Sequence, residues 1–250
     1  MRCASDWKRR RASVLLVHEL HEVRGREEDA FEDAVRTRWL PALARDPDAR
    51  LLYFLKHAHG SGASYRVVTI TALRDAAAWG RTAERTLRGD LRDEARALDA
   101  LRHDVTAKLL VPLPWSPLQS IDLAAVPSEA PPVHELSLFM EDTVWPDEDQ
   151  LETYVERSGN HYLAEMRRNA ERGGTLLTIL AGFRTAFGAG VRREIVLWQK
   201  ITEPRGLAPL LSSEVPARYK EPGTWMHDAL SLRDQWQSRL LRTTRWSPLP

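Results

Sequence analysis

Apolar residues recur along the first half of the chain with two different spacings. Residues 14–23 read as an opening strand. Phe31, Val35, Trp39 and Leu43 then stand four apart, on one face of a helix. Pro41 should kink or shorten its last turn. Residues 51–55 are an unbroken apolar run. A turn at Gly60, Ser61 and Gly62 leads to residues 65–73, rich in Val, Thr and Ile as strands are. Leu87, Leu91, Leu98 and Leu101 mark a second helical stretch. Residues 108–113 read as a closing strand, ended by Pro112 and Pro114.

The second half follows the same order. Residues 134–140 read as a strand. Leu151, Val155, Tyr162 and Met166 mark a helix that Gly173 and Gly174 stop. Residues 175–180 and 193–199 read as strands around a glycine-rich loop at 182–190. Trp225, Ala229, Leu232, Trp236 and Leu240 predict a last helix with a clean apolar stripe, and with Trp236 in the core.

Short segments repeat in the same order. Trp115-Ser116-Pro117-Leu118 returns 131 positions later as Trp246-Ser247-Pro248-Leu249, and His18-Glu19-Leu20 returns 116 positions later as His134-Glu135-Leu136. Each half therefore reads β-α-β-β-α-β, the ferredoxin-like order. The expected fold class is α+β, with two tandem ferredoxin-like modules packed sheet to sheet as an α+β barrel within one chain. A sheet with both helices on one face leaves its other face bare, and a sister sheet covers it. The boundaries follow: a basic tail at 1–12, module one at 13–119, an Ala- and Pro-rich linker at 120–132, and module two at 133–250.

Composition narrows the function. Hydrophobic residues make up 43% of the chain, ample for a core, and no apolar run is long enough to span a bilayer. The formal net charge is +1, and Arg alternates with Asp and Glu along residues 90–102, so a solvated helix face is expected rather than a nucleic-acid surface. The basic start has no apolar stretch or cleavage site of a leader. Cys3 is the single cysteine, which excludes an intrachain disulfide and points to a reducing cytoplasm. No Gly-rich nucleotide loop and no Gly-x-Ser-x-Gly elbow occurs.

Several polar positions could carry chemistry. Glu19 and His21 lie two apart on a strand, so both face the same way and could move a proton together. Glu135 is the expected counterpart of Glu19. His161 lies beside the helix stripe that holds Tyr162. His57 and His59 flank Ala58 at the lip of a turn, a spacing that could chelate a metal but lacks a third ligand, so no metal site is expected. The chain has nine tryptophans. Trp39, Trp79, Trp198, Trp225 and Trp236 fall on expected core faces, and with Tyr53 and Tyr162 they could also wall an aromatic pocket.

The opening Glu19-Leu20 and Glu135-Leu136, the strand Ile195-Val196-Leu197-Trp198, and the closing Leu110 to Leu118 resemble the NIPSNAP family. That family usually continues its first strand with Arg and Tyr. His21 and Val23 stand at those places in one half, Ser137 and Phe139 in the other. The resemblance implies a dimeric α+β barrel, a group that also holds antibiotic-biosynthesis monooxygenases, polyketide cyclases and haem-binding chlorite dismutases. It implies a cleft between helices and sheet for a small hydrophobic or aromatic molecule. There Glu19, His21, Glu135 and His161 would be acid or base, and Trp39, Tyr53, Tyr162 and Trp198 would bind substrate. The chemistry implied is cofactor-independent oxygenation, cyclisation, isomerisation or lyase chemistry, with a binding role as the alternative. A haem protein would need His103, His134, His161 or His227 as proximal ligand. No nucleic-acid or membrane partner is expected, and a homo-oligomer stays open.

Overall fold

The computed structural model describes residues 14–174 and 176–250. The basic tail 1–12 and Thr175, where a strand is expected to begin, lie outside the described residues. The first half runs β1 (Leu15–Val23), α1 (Glu28–Ala34), α2 (Leu40–Leu43), β2 (Ala49–His57), β3 (Arg66–Leu73), α3 (Ala76–Leu87), α4 (Arg92–Asp99) and β4 (Arg102–Pro112). The second half runs β5 (Leu138–Pro146), α5 (Leu151–Arg157), α6 (Ala164–Glu171), β6 (Leu177–Phe187), β7 (Ile195–Ile201), α7 (Leu207–Ser212), α8 (Trp225–Asp228) and β8 (Arg233–Thr243). A π-helical segment joins α1 to α2 at Val35–Trp39 and α5 to α6 at Ser158–Leu163. Pro41 lies two residues beyond the first of these segments, in the last turn of a helical run that continues from Glu28 to Leu43.

The strands form one closed antiparallel barrel in the order β1-β3-β2-β8-β5-β7-β6-β4, with β4 returning to β1. Read from β4, the pairing order β4-β1-β3-β2 is followed by β8-β5-β7-β6. One apolar cluster draws on all eight strands, including Leu16, Leu55, Ile70, Leu110, Phe139, Phe183, Trp198 and Leu241, and so fills the lumen. The alternate residues face outward under the helices. Phe31, Val35, Leu40, Phe54, Val67 and Trp246 form the layer outside the first half. Val144, Tyr154, Val155, Ile195 and Leu197 form the layer outside the second.

The Trp-Ser-Pro-Leu segments have a reciprocal role. β4 runs beside β6 and β8 beside β2, so each tail lands on the opposite half. Trp115 donates from Nε1 to the Val155 carbonyl at 2.7 Å, and the Ser116 hydroxyl accepts from Gly182 N–H at 3.1 Å. Trp246 donates to Glu32 at 2.7 Å, and the Ser247 hydroxyl accepts from Phe54 N–H at 3.1 Å.

Three expectations change. The last helix is replaced by α8 and the long strand β8, which leaves Trp236 46% exposed. Helical spacing loses there because β2 and β5 would otherwise keep bare edges, and β8 pairs with both. The stretch from Gly182 to Phe187 is strand rather than loop. Gly182 is needed for close approach, since a Cβ there would stand 2.5 Å from the Trp115 ring. Trp79 is 43% exposed on α3 and not in the core.

Candidate functional site

The ladder registers set which residues of the two halves correspond. Leu15 opens β1 and Leu138 opens β5, 123 positions on. Glu28 and Leu151 open α1 and α5, and Val35 and Ser158 open the π segments, all at the same spacing. Glu19 therefore corresponds to Asp142, His18 to Glu141, His21 to Val144, Phe31 to Tyr154 and Trp39 to Tyr162. Glu135 is not the counterpart of Glu19. It precedes β5, exposed, because the second His-Glu-Leu lies upstream of the strand. The aromatic pairs Phe31 with Trp39 and Tyr154 with Tyr162, each eight apart, carried the true spacing in the sequence.

Beneath α1 the expected pair comes together. Arg102 donates to His21 Nδ1 at 2.6 Å, which fixes the ring proton on Nε2. Nε2–H donates to Thr69 Oγ1 at 2.9 Å, and Thr69 donates to Glu19 Oε2 at 3.3 Å. Burial and then the Arg102 charge lower His21 to about 3. Burial raises Glu19 against the opposing pull of Arg102. His21 packs on the Phe31 ring at 5.2 Å, and Phe31 is fully buried. His21 thus has both nitrogens engaged and no free lone pair, and its cleft is filled.

Beneath α5 the same place is polar. Asp142 keeps part of its surface in solvent. Its Oδ2 accepts from Gln199 Nε2 at 2.9 Å, and its Oδ1 accepts from the Ser238 hydroxyl. Gln199 Oε1 accepts from the Tyr162 hydroxyl at 2.5 Å. Trp236 Nε1 donates to Ser238 at 3.2 Å. Burial raises the Asp142 carboxyl from its ordinary value, and the hydrogen bonds from Ser238 and Gln199 only partly offset this. Burial pushes Tyr154 up to about 12 and Tyr162 higher still, so both hydroxyls remain donors. Trp225 covers Tyr154 and Tyr162, with ring centres 5.5 and 5.9 Å away. A carboxyl raised by burial, set among polar groups and aromatic walls, suits removal of a proton from a planar molecule.

The other expected residues scatter. Tyr162 belongs to this cluster, whereas His161, beside it, is exposed. Trp198 and Tyr53 lie inside the barrel with Phe139, at ring distances of 5.8, 5.3 and 5.0 Å. Trp39 packs in the apolar layer of the first half. His103 is exposed, His227 pairs with Asp228 at 3.0 Å, and both ring nitrogens of His134 meet carbonyl oxygens. His57 ends β2, and burial lowers it to about 4. Among the described residues no group of three or more His, Cys, Asp or Glu could hold a metal ion, and no helix is long and apolar enough to cross a membrane. Two surface cavities, of about 500 and 350 Å³, are lined by Thr185–Arg193 and by residues including Arg50, Arg74 and Ile121, away from Asp142.

No protein-family model and no curated protein matches the chain. Solved structures do. A candidate monooxygenase from Lactobacillus acidophilus aligns over 94% of this chain and 98% of its own, with a TM-score of 0.55 at 7% identity. An anthrone oxidase-like protein aligns over 93% and 92%, with a TM-score of 0.55 at 7% identity. A haem-bound variant of DypB from Rhodococcus jostii aligns over 94% of both chains, with a TM-score of 0.50 at 6% identity. At these identities the likeness establishes the fold, a mixed α+β chain around a closed barrel.

Proposed function

We propose that the chain is a small-molecule enzyme of the oxygenase-like kind, similar to NIPSNAP proteins, built from two fused ferredoxin-like modules, with its working site beneath α5. The observation that carries this reading is the Asp142 carboxyl, raised by burial yet partly exposed, bonded to Gln199 and Ser238 and flanked by Tyr162, Trp225 and Trp236. Asp142 takes a proton from an acidified C–H or phenolic O–H. The electron pair stays on the substrate as an anion delocalised over its rings. In oxygenation, dioxygen would then react with that anion. Cyclisation, isomerisation and lyase reactions begin with the same proton removal. The first half, whose cleft holds Phe31 and the closed Arg102–His21–Thr69–Glu19 chain, has a structural role.

Fold likeness to monooxygenases and an anthrone oxidase-like protein supports this class. Haem does not fit the cleft. Among the described residues the sheet face beneath α5 carries no histidine, since Val144 stands where the first half has His21.

Anthrone with dioxygen tests the reading, since one of each gives anthraquinone and water. Wild type is expected to speed dioxygen uptake and quinone absorbance, and Asp142→Asn to lower the rate about a hundredfold, the weight of a general base. Equal rates in the two proteins would remove Asp142 from the mechanism.

A further inference from the structure

Arg233 opens β8 opposite Pro146 and is 6% exposed. Its guanidinium carbon lies 4.4 Å from the centre of the Trp236 ring, and the group hydrogen-bonds the Tyr154 hydroxyl. Its Nε and Nη1 are buried and have no hydrogen-bond partner. Among the described residues no carboxylate pairs with it. Its neighbour Asp234 is held by Arg192 at 3.1 Å, and the other nearby cation, Arg239, turns to Glu141 at 3.5 Å. Asp142 feels the Arg233 charge but gives its own oxygens to Gln199 and Ser238.

A guanidinium does not lose its proton in a protein, so this is a permanent buried cation. The face of Trp236 offsets only part of its lost hydration. A buried charge without its partner is costly, and two open N–H groups add to that cost. An oxyanion formed only during reaction would leave these donors empty in the bound complex. An anion that the ligand always carries fills them from the moment of binding.

We infer that the ligand of the Asp142 site is an aromatic carboxylic acid, whose carboxylate accepts from Arg233 while its ring system lies against Trp225 and Trp236. This rests on the proposed site and names the class of molecule it takes. Trp236 is then the exposed edge of the binding surface, which accounts for a tryptophan left 46% exposed beside a buried arginine.

The test compares 2-naphthoate with its neutral isostere 2-naphthamide, titrated against the full chain by calorimetry and tryptophan fluorescence. Wild type is expected to bind the acid about tenfold tighter or more, the factor one charge-assisted hydrogen bond supplies. Arg233→Gln is expected to bring the acid down to the level of the amide and to leave the amide unchanged. Asp142→Asn is expected to keep the preference while losing turnover of anthrone. Equal affinity for acid and amide in wild type overturns the inference and leaves the aromatic cleft standing. Failure of both probes to bind overturns the inference together with the proposed site. The comparison on the unaltered chain decides the matter even if Arg233→Gln does not fold.

Discussion

His18 and Glu141 hold the same place in the two halves, each the fourth residue of its strand, and they meet inside the barrel with Nε2 2.6 Å from Oε2. His18 is 5% exposed and Glu141 1%. Burial alone would raise the Glu141 carboxyl, but His18, Arg239 and Lys108 outweigh it and hold the group at about 2. The pair ties the halves together across the lumen. His18→Leu is expected to cost about 3–5 kcal/mol, because it strips a buried carboxylate of its main partner. The double change with Glu141→Leu should cost clearly less than the two single changes together, as measured by chemical denaturation. With the folded carboxyl below its unfolded value of 4.5, the stabilisation is present above pH 4.5 and is lost as pH falls toward 2. Additive losses would show that the pair is not coupled.

His21 gives a second pH signature with its own window. Its folded form titrates at about 3 and its unfolded form at 6.5, so between those values the unfolded chain binds the extra proton. The stabilisation from neutral His21 is therefore present above pH 6.5 and falls away as the solution is acidified. Comparing melting temperatures of wild type and His21→Gln from pH 7.5 to 5 should show a shallower decline in the variant. Parallel curves would mean that His21 titrates normally in the folded chain.

The crossed tails make a matched prediction. Ser116→Ala and Ser247→Ala each remove the acceptor of one buried strand N–H in the opposite half. Each should cost about 1–3 kcal/mol, the range for a buried donor left without its partner. A negligible loss in both would show that the tails only rest on the barrel.

Exposure orders two aromatic truncations. Phe31 is 0% exposed and Trp236 46%. Phe31→Ala should cost about 3–5 kcal/mol, and Trp236→Ala less than about 1 kcal/mol, by thermal or urea unfolding. The reverse order would return Trp236 to the core.

Much of the barrel was legible because apolar periodicity and turn residues act locally. The strands of the first half, the helix led by Phe31 and the closing tails all follow from them. β8 was not legible, since the spacing from Trp225 to Leu240 fits a helix and only the open edges of β2 and β5 make it a strand. The same kind of long-range demand hid the site. Asp142 lies past Met140, where the expected strand stops, and nothing near it in sequence marks its partners Gln199 and Ser238. Glu19 and His21 were found as a pair because alternation along one strand brings them together. Their closure by Arg102 depends on β4, which no local pattern joins to them.

Proton removal by Asp142 can be followed without any later step, through exchange of the C10 hydrogens of anthrone with deuterated water, read by proton magnetic resonance. Wild type should accelerate the exchange, Asp142→Asn should slow it about a hundredfold, and Glu19→Gln should match wild type. Exchange that survives in Asp142→Asn but is lost in Glu19→Gln would place the working site in the first half and contradict the assignment.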